Sequence, residues 1–212
     1  MTRFWLVRHG PTHAKAMVGW TDLAADLSDT AAIGRLRDHL PRSAPVISSD
    51  LARAVATADA LCPHLRLPHD PGLREMHFGQ WEMRGFAEVE AEDSALIRAF
   101  WDSPGDIRPP GGESWNDLAT RTSAALDRLQ GTAPDIIVVA HFGPILAALH
   151  RVPFARVDAV VDTNPARAPI LAALQRALRV PAIEVFANRI DNLSVTCLCL
   201  TPAEVFAINH RP

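Results

Sequence analysis

Short, unbroken apolar runs alternate along this chain with longer stretches in which apolar residues recur every three or four positions. Phe4 to Val7, Pro45 to Ile47, Ile136 to Ala140 and the stretch 194–200 have the length and β-branched content of buried strands. Between them, helical spacing predicts helices near 29–39, 51–61, 86–101 and 115–129. In the last of these, Trp115, Leu118, Thr122, Leu126 and Leu129 share one face, and Ser114 with Asp117 approximates a capping box. Trp115 is therefore read as core rather than as a substrate-stacking group. Leu193 to Leu200 and Glu204 to Asn209, joined by Thr201-Pro202-Ala203, predict a terminal hairpin. Strands alternating with helices argue for parallel strands and crossover helices.

Composition narrows the class without changing this picture. The 212 residues fit one α/β domain, and a hydrophobic content of 48% is enough for a sizeable core. A formal net charge of -3 gives no overall basic field to recruit nucleic acid, so any attraction for phosphate must be local. The apolar runs are too short to span a bilayer. Met1-Thr2-Arg3 leads straight into a strand, which leaves no room for a targeting segment. Cys62, Cys197 and Cys199 have no zinc-type spacing, and their odd number points to reduced thiols and a cytoplasmic location.

The candidate chemistry sits where apolar runs stop. Arg8-His9-Gly10 closes the first run, at the kind of strand end where open α/β sheets hold ligands. A neutral imidazole there can attack phosphorus, a guanidinium grips phosphate oxygens with its planar fork, and glycine permits close backbone approach. Ser48-Ser49-Asp50-Leu51-Ala52-Arg53 changes from strand to helix composition. Ser49 or Asp50 can cap that helix, which places Arg53 in its first turn, with Thr57 on the same face. Glu75 lies among large apolar groups in Leu73 to Glu82, conditions that raise a carboxyl pKa toward that of a general acid. Ile136 to Ala140 delivers His141 into Phe142-Gly143-Pro144. The remaining histidines are scattered singly and read as surface or satisfied polar groups.

These four segments, in this order, resemble the histidine phosphatase superfamily, also called the phosphoglycerate mutase-like family, from Arg3 to about Leu200. Pro110-Gly111-Gly112-Glu113-Ser114 and Asn192-Leu193-Ser194 are similar to two further motifs of that family. The resemblance implies an α/β three-layer sandwich, with a mostly parallel central sheet, helices on both faces and an antiparallel edge. It implies one domain over residues 1–212, with a cap-like segment near 77–113. By the same resemblance His9 becomes phosphohistidine, Glu75 is the proton donor, and Arg8, Arg53 and His141 complete a phosphate pocket to which Gly10 and Thr12 belong. It implies a phosphomonoesterase of the phosphatase branch, similar to α-ribazole phosphatase-like members, with no cofactor and no metal. The partner expected is a small phosphorylated metabolite rather than nucleic acid or membrane, and a homodimer is left open.

Departures from the family pattern mark positions to watch. Lys15 stands where an asparagine is common, either adding charge for a second anionic group or pointing to solvent; Met83 replaces glycine after Trp81-Glu82; Phe142 replaces the first glycine after the second histidine. Lys15, Trp81 and Phe142 are candidate substrate contacts. Pro144 to Leu149 recurs letter for letter as Pro169 to Leu174, which predicts a local duplication and an insertion near 145–169. Three other functions stay in play. One is a mutase-type phosphotransferase, for which no clear basic cluster follows Glu75 beyond Arg84, Arg98 and Arg108. The others are a non-catalytic phospho-ligand scaffold and metal-assisted hydrolysis, the last disfavoured by arginines beside the histidines.

Overall fold

The structure, a computed structural model, describes residues 1–61, 65–152 and 190–212. Strands β1 (Arg3–Arg8), β2 (Val46–Ser48), β3 (Asp135–Ala140), β4 (Val195–Leu200) and β5 (Ala203–His210) form one sheet in the order β2-β3-β1-β4-β5. The ladders β2/β3 and β3/β1 are parallel, while β1/β4 and β4/β5 are antiparallel. The sheet is thus mixed, with the predicted hairpin as its antiparallel side. Alternation decides which residues face which layer. Phe4, Leu6, Ile136 and Val138 face one core with helices α5 (Trp115–Leu129) and α6 (Phe142–His150). Val7, Ile137 and Val139 face the other, with α1 (Thr30–His39) and α2 (Ala52–Leu61). This is the expected three-layer arrangement.

The stretch expected as one helix over 86–101 is two, α3 (Phe86–Glu92) and α4 (Ser94–Asp102). Asp93 makes the break: its backbone N–H donates to Val89 and closes α3, while its carboxylate accepts from Leu96 N–H and opens α4. Ile97 and Phe100 of α4 are buried against Phe78 and Trp81, so the cap-like segment is welded to the larger core. Ser114 and Asp117 form the full reciprocal capping box on α5. Trp115 is buried, as read from its spacing.

Parallel strands side by side end together, and that brings the candidate chemistry to one place. His9 follows β1, Ser49 follows β2 and His141 follows β3. The first copy of the repeated hexapeptide lies in α6, whose residues Gly143 to Leu149 are buried all round. The second copy, residues 153–169 of the predicted insertion, Cys62 and His64 lie outside the described residues. No helix among the described residues is long and apolar enough to cross a membrane.

Candidate active site

The backbone of His9 and Gly10 is fixed at every polar atom. His9 N–H donates to Ala140 O at 3.1 Å, and its carbonyl accepts from the Asn192 amide at 2.7 Å. Gly10 N–H donates to Thr57 Oγ1 at 3.0 Å, while Gly10 O lies 2.6 Å from His9 Nδ1. The last contact has a chemical consequence. A carbonyl only accepts, so Nδ1 carries the hydrogen and Nε2 keeps its lone pair. Burial, then Arg53 and Arg8, push the His9 pKa down to about 3. A neutral imidazole with a free Nε2 is a nucleophile.

Position 10 is crowded on the side where a side chain would start. A β-carbon there would stand 2.6 Å from Leu27 and 3.2 Å from the Asp26 carbonyl. The Asn192-Leu193-Ser194 motif acts on the same strand end: Arg8 N–H donates to Ser194 O and Leu193 N–H donates to Arg8 O. The Arg8 guanidinium donates to Ile190 O and lies 5.6 Å from the centre of the Phe142 ring. Phe142 therefore serves as a face for Arg8. Thr12 is half-buried on the loop after His9. Lys15 is exposed, and it makes no hydrogen bond or ion pair with the described residues. Trp81 is turned into the core, 3% exposed and edge-on to Phe100, so its ring is packing and not a pocket wall.

Glu75 is half-buried, and desolvation of its carboxyl raises its pKa against the pull of Met76 N–H, Arg53, Arg8 and Gly143 N–H. Its Oε1 accepts from Met76 N–H at 2.9 Å and from Gly143 N–H at 3.0 Å, at the first turn of α6. Glycine at position 143 leaves room for that carboxylate, since a β-carbon there would lie 2.4 Å from Glu75 Oε1 and displace it. The backbone around Glu75 is held from α5: Arg121 donates to the carbonyls of Gly72, Arg74 and Glu75 and pairs with Glu113 at 2.8 Å. Glu113 also accepts from His77 N–H. This is what the Pro-Gly-Gly-Glu-Ser turn does here. His141 is buried beside His9, with ring centres 4.9 Å apart.

A sequence model of the histidine phosphatase superfamily (branch 1) matches residues 4–162. The chain belongs to this superfamily. It is 30% identical over 158 residues to the adenosylcobalamin/alpha-ribazole phosphatase of Salmonella typhimurium, covering 70% of this chain and 78% of that one. A bifunctional protein of Mycobacterium tuberculosis is 34% identical over 163 residues, covering 68% of this chain; the chain spans 42% of the length of that relative. Both phosphatase and phosphoglycerate mutase names occur among the relatives. The fold is shared with YhfR of Bacillus stearothermophilus, at a TM-score of 0.73 and 21% identity over 98% of this chain and 95% of that one.

Within this superfamily member, two supports of the site had no visible sign in the sequence. Of the two caps expected, Asp50 directs its carboxylate to Arg74 at 2.6–2.7 Å, while Ser49 Oγ accepts from Leu51 N–H at 3.2 Å and Asp22 accepts from Ala52 N–H. Arg53, 1% exposed, is held by two carbonyls, donating to Thr21 O at 3.0 Å and Gly19 O at 2.6 Å. That loop is in turn gathered by Glu82. Its carboxylate accepts from Gly19, Trp20, Thr21 and Phe78 N–H and from the Thr21 hydroxyl. Burial alone would raise the Glu82 pKa, yet these hydrogen bonds outweigh it and hold it below the usual carboxylate value. Glu82→Gln keeps the shape but replaces one acceptor oxygen by a donor. The expected result is a roughly tenfold weaker inhibition by inorganic phosphate, measured in the steady state, as Arg53 loses its frame. Unchanged phosphate affinity would show that Arg53 does not depend on this loop.

Met83 sits at φ +61, in the left-handed region where glycine is favoured, and is exposed. Glycine relieves the β-carbon clash and loses little packing there, although it frees the unfolded chain. Met83→Gly is expected to stabilise the protein by about 0.5–1 kcal/mol in urea unfolding. A loss of stability would mean that the methionine side chain packs in a way its exposure does not suggest.

Proposed function

We propose that this protein is a phosphomonoester hydrolase that works in two steps through a phosphohistidine at His9. In the first, the Nε2 lone pair attacks phosphorus in line and the P–O ester bond breaks. The Glu75 carboxylic proton passes to the leaving oxygen, giving the free alcohol. In the second, the Glu75 carboxylate takes a proton from water as its oxygen attacks phosphorus. The P–N bond breaks, and inorganic phosphate leaves with the imidazole neutral again. Arg8, Arg53 and a hydrogen on His141 balance charge on the equatorial oxygens, the positioning and electrostatic work on which phosphoryl transfer depends. Gly10 and Thr12 line the same pocket.

One observation carries this reading: a buried neutral imidazole with its Nδ1–H tied to Gly10 O, near two arginines and a carboxyl group whose pKa burial raises. The substrate is a small phosphorylated metabolite, in keeping with relatives named as phosphatases of small molecules. Segment 77–113, with α3 and α4, closes over the pocket and sets which leaving group fits, while Lys15 is available to a second anionic group. The test is turnover of p-nitrophenyl phosphate in EDTA. Metal-independent release of p-nitrophenol is expected. Turnover only with added divalent metal, or tight phosphate binding with no turnover, would overturn the reading in favour of metal-assisted hydrolysis or a scaffold.

A further inference from the structure

Ser49 is the residue after β2, and its backbone N–H donates to Val139 O at 3.1 Å, next to the end of β3. Its Oγ lies 2.7 Å from His141 Nε2, and Leu51 N–H donates to the same oxygen at 3.2 Å. Both side chains are fully buried. A hydroxyl has one hydrogen to give and two lone pairs to offer, and the Leu51 N–H already occupies one of them. Suppose that His141 carried its hydrogen on Nε2. The second lone pair would be taken, the hydroxyl hydrogen would have no acceptor, and Nδ1 would be a bare acceptor. Two buried groups would go unsatisfied.

The opposite assignment leaves one. If the hydroxyl hydrogen points to Nε2, the Ser49 side chain is satisfied and His141 carries its hydrogen on Nδ1. That nitrogen is buried and has no partner among the described residues. Burial, with His9 and Arg53 adding to it, keeps His141 from taking a second proton. The ring stands 4.9 Å from that of His9, at an angle of 58°, so the unpartnered nitrogen belongs to an imidazole in direct contact with the proposed nucleophile. We infer that Ser49 is a positioning residue that locks His141 as the Nδ1–H tautomer and so presents a donor, not a lone pair, to a phosphoryl oxygen. In the other tautomer the Nδ1 lone pair would repel that oxygen. The inference rests on the proposed phosphoryl chemistry for its purpose, while its geometry is independent of it.

The test is 15N NMR of the full chain labelled at histidine. In the wild type, His141 is expected to show a protonated Nδ1 and an unprotonated Nε2, and titration with inorganic phosphate should shift the Nδ1 signal. Ser49→Thr keeps the hydroxyl and should keep both properties. Ser49→Ala removes it, so hydrogen should redistribute to Nε2 and phosphate affinity should fall about tenfold, the scale of one hydrogen bond to a charged group. A wild-type His141 protonated on Nε2, or an alanine variant with unchanged tautomer and affinity, would overturn the inference. Should the alanine variant fail to fold, the wild-type and threonine spectra still decide it. A protein that shows the expected tautomer yet hydrolyses no phosphomonoester would overturn the hydrolase reading alone.

Discussion

His9→Ala is expected to abolish turnover, by at least about 10⁴-fold, because it removes the lone pair to which the attack on phosphorus is assigned. The fold should survive. His9 belongs to neither apolar core cluster, and its imidazole is a buried polar group. The backbone contacts that fix the turn, from Ala140, Asn192 and Thr57, do not involve the side chain. Kinetics with an aryl phosphate and thermal unfolding check both halves. Turnover within tenfold of wild type in a folded variant would rule out His9 as nucleophile.

Glu75→Gln separates chemistry from binding. Glutamine keeps an oxygen for Met76 and Gly143 N–H, but it can neither give nor take the proton. The loss should fall on the rate constant for phosphoryl transfer, about 10²- to 10⁴-fold for an alkyl phosphate, and much less for an aryl phosphate whose leaving group needs little protonation. The pH dependence follows from the two shifts. His9, held down to about 3, is deprotonated and ready above that value. Glu75, raised by burial, keeps its proton to a higher pH than an ordinary glutamic acid and loses it as pH rises through its own pKa. Single-turnover phosphorylation by an alkyl ester should therefore be steady on the acid side and decline above the Glu75 pKa. The substrate's second ionisation, near pH ~6, is common to both enzymes, so the limb lost in the variant is that of Glu75. Equal losses for alkyl and aryl esters would remove Glu75 from the proton-donor role.

Which parts of this site were legible in the sequence has a physical explanation. His9, Arg53, Glu75 and His141 could be found because each lies next to an apolar run or a helix start, and local pattern reports local structure. The supports could not. Glu82 gathers a loop some sixty residues earlier in the chain, Thr57 holds Gly10, and Arg121 reaches back to Glu75 O. Such pairings are set by which elements the sheet order brings together. Trp81 misled for the related reason that a large aromatic beside a catalytic motif serves a pocket or a core equally well on sequence grounds; packing on Phe100 decides it. The break at Asp93 did have a signal, an aspartate followed by serine inside a helical run, which is a cap as much as a surface residue. At Gly10 the structure adds crowding by Leu27, a contact invisible at the level of motif.

The central claim is that the phosphoryl group passes through His9 on its way to water. The stereochemical course of hydrolysis measures this directly, with a phosphomonoester made chiral at phosphorus by oxygen isotopes. Two in-line displacements, onto His9 Nε2 and then onto water, each invert the centre and together predict net retention of configuration. Net inversion would mean that water attacks the ester directly, and would contradict the account.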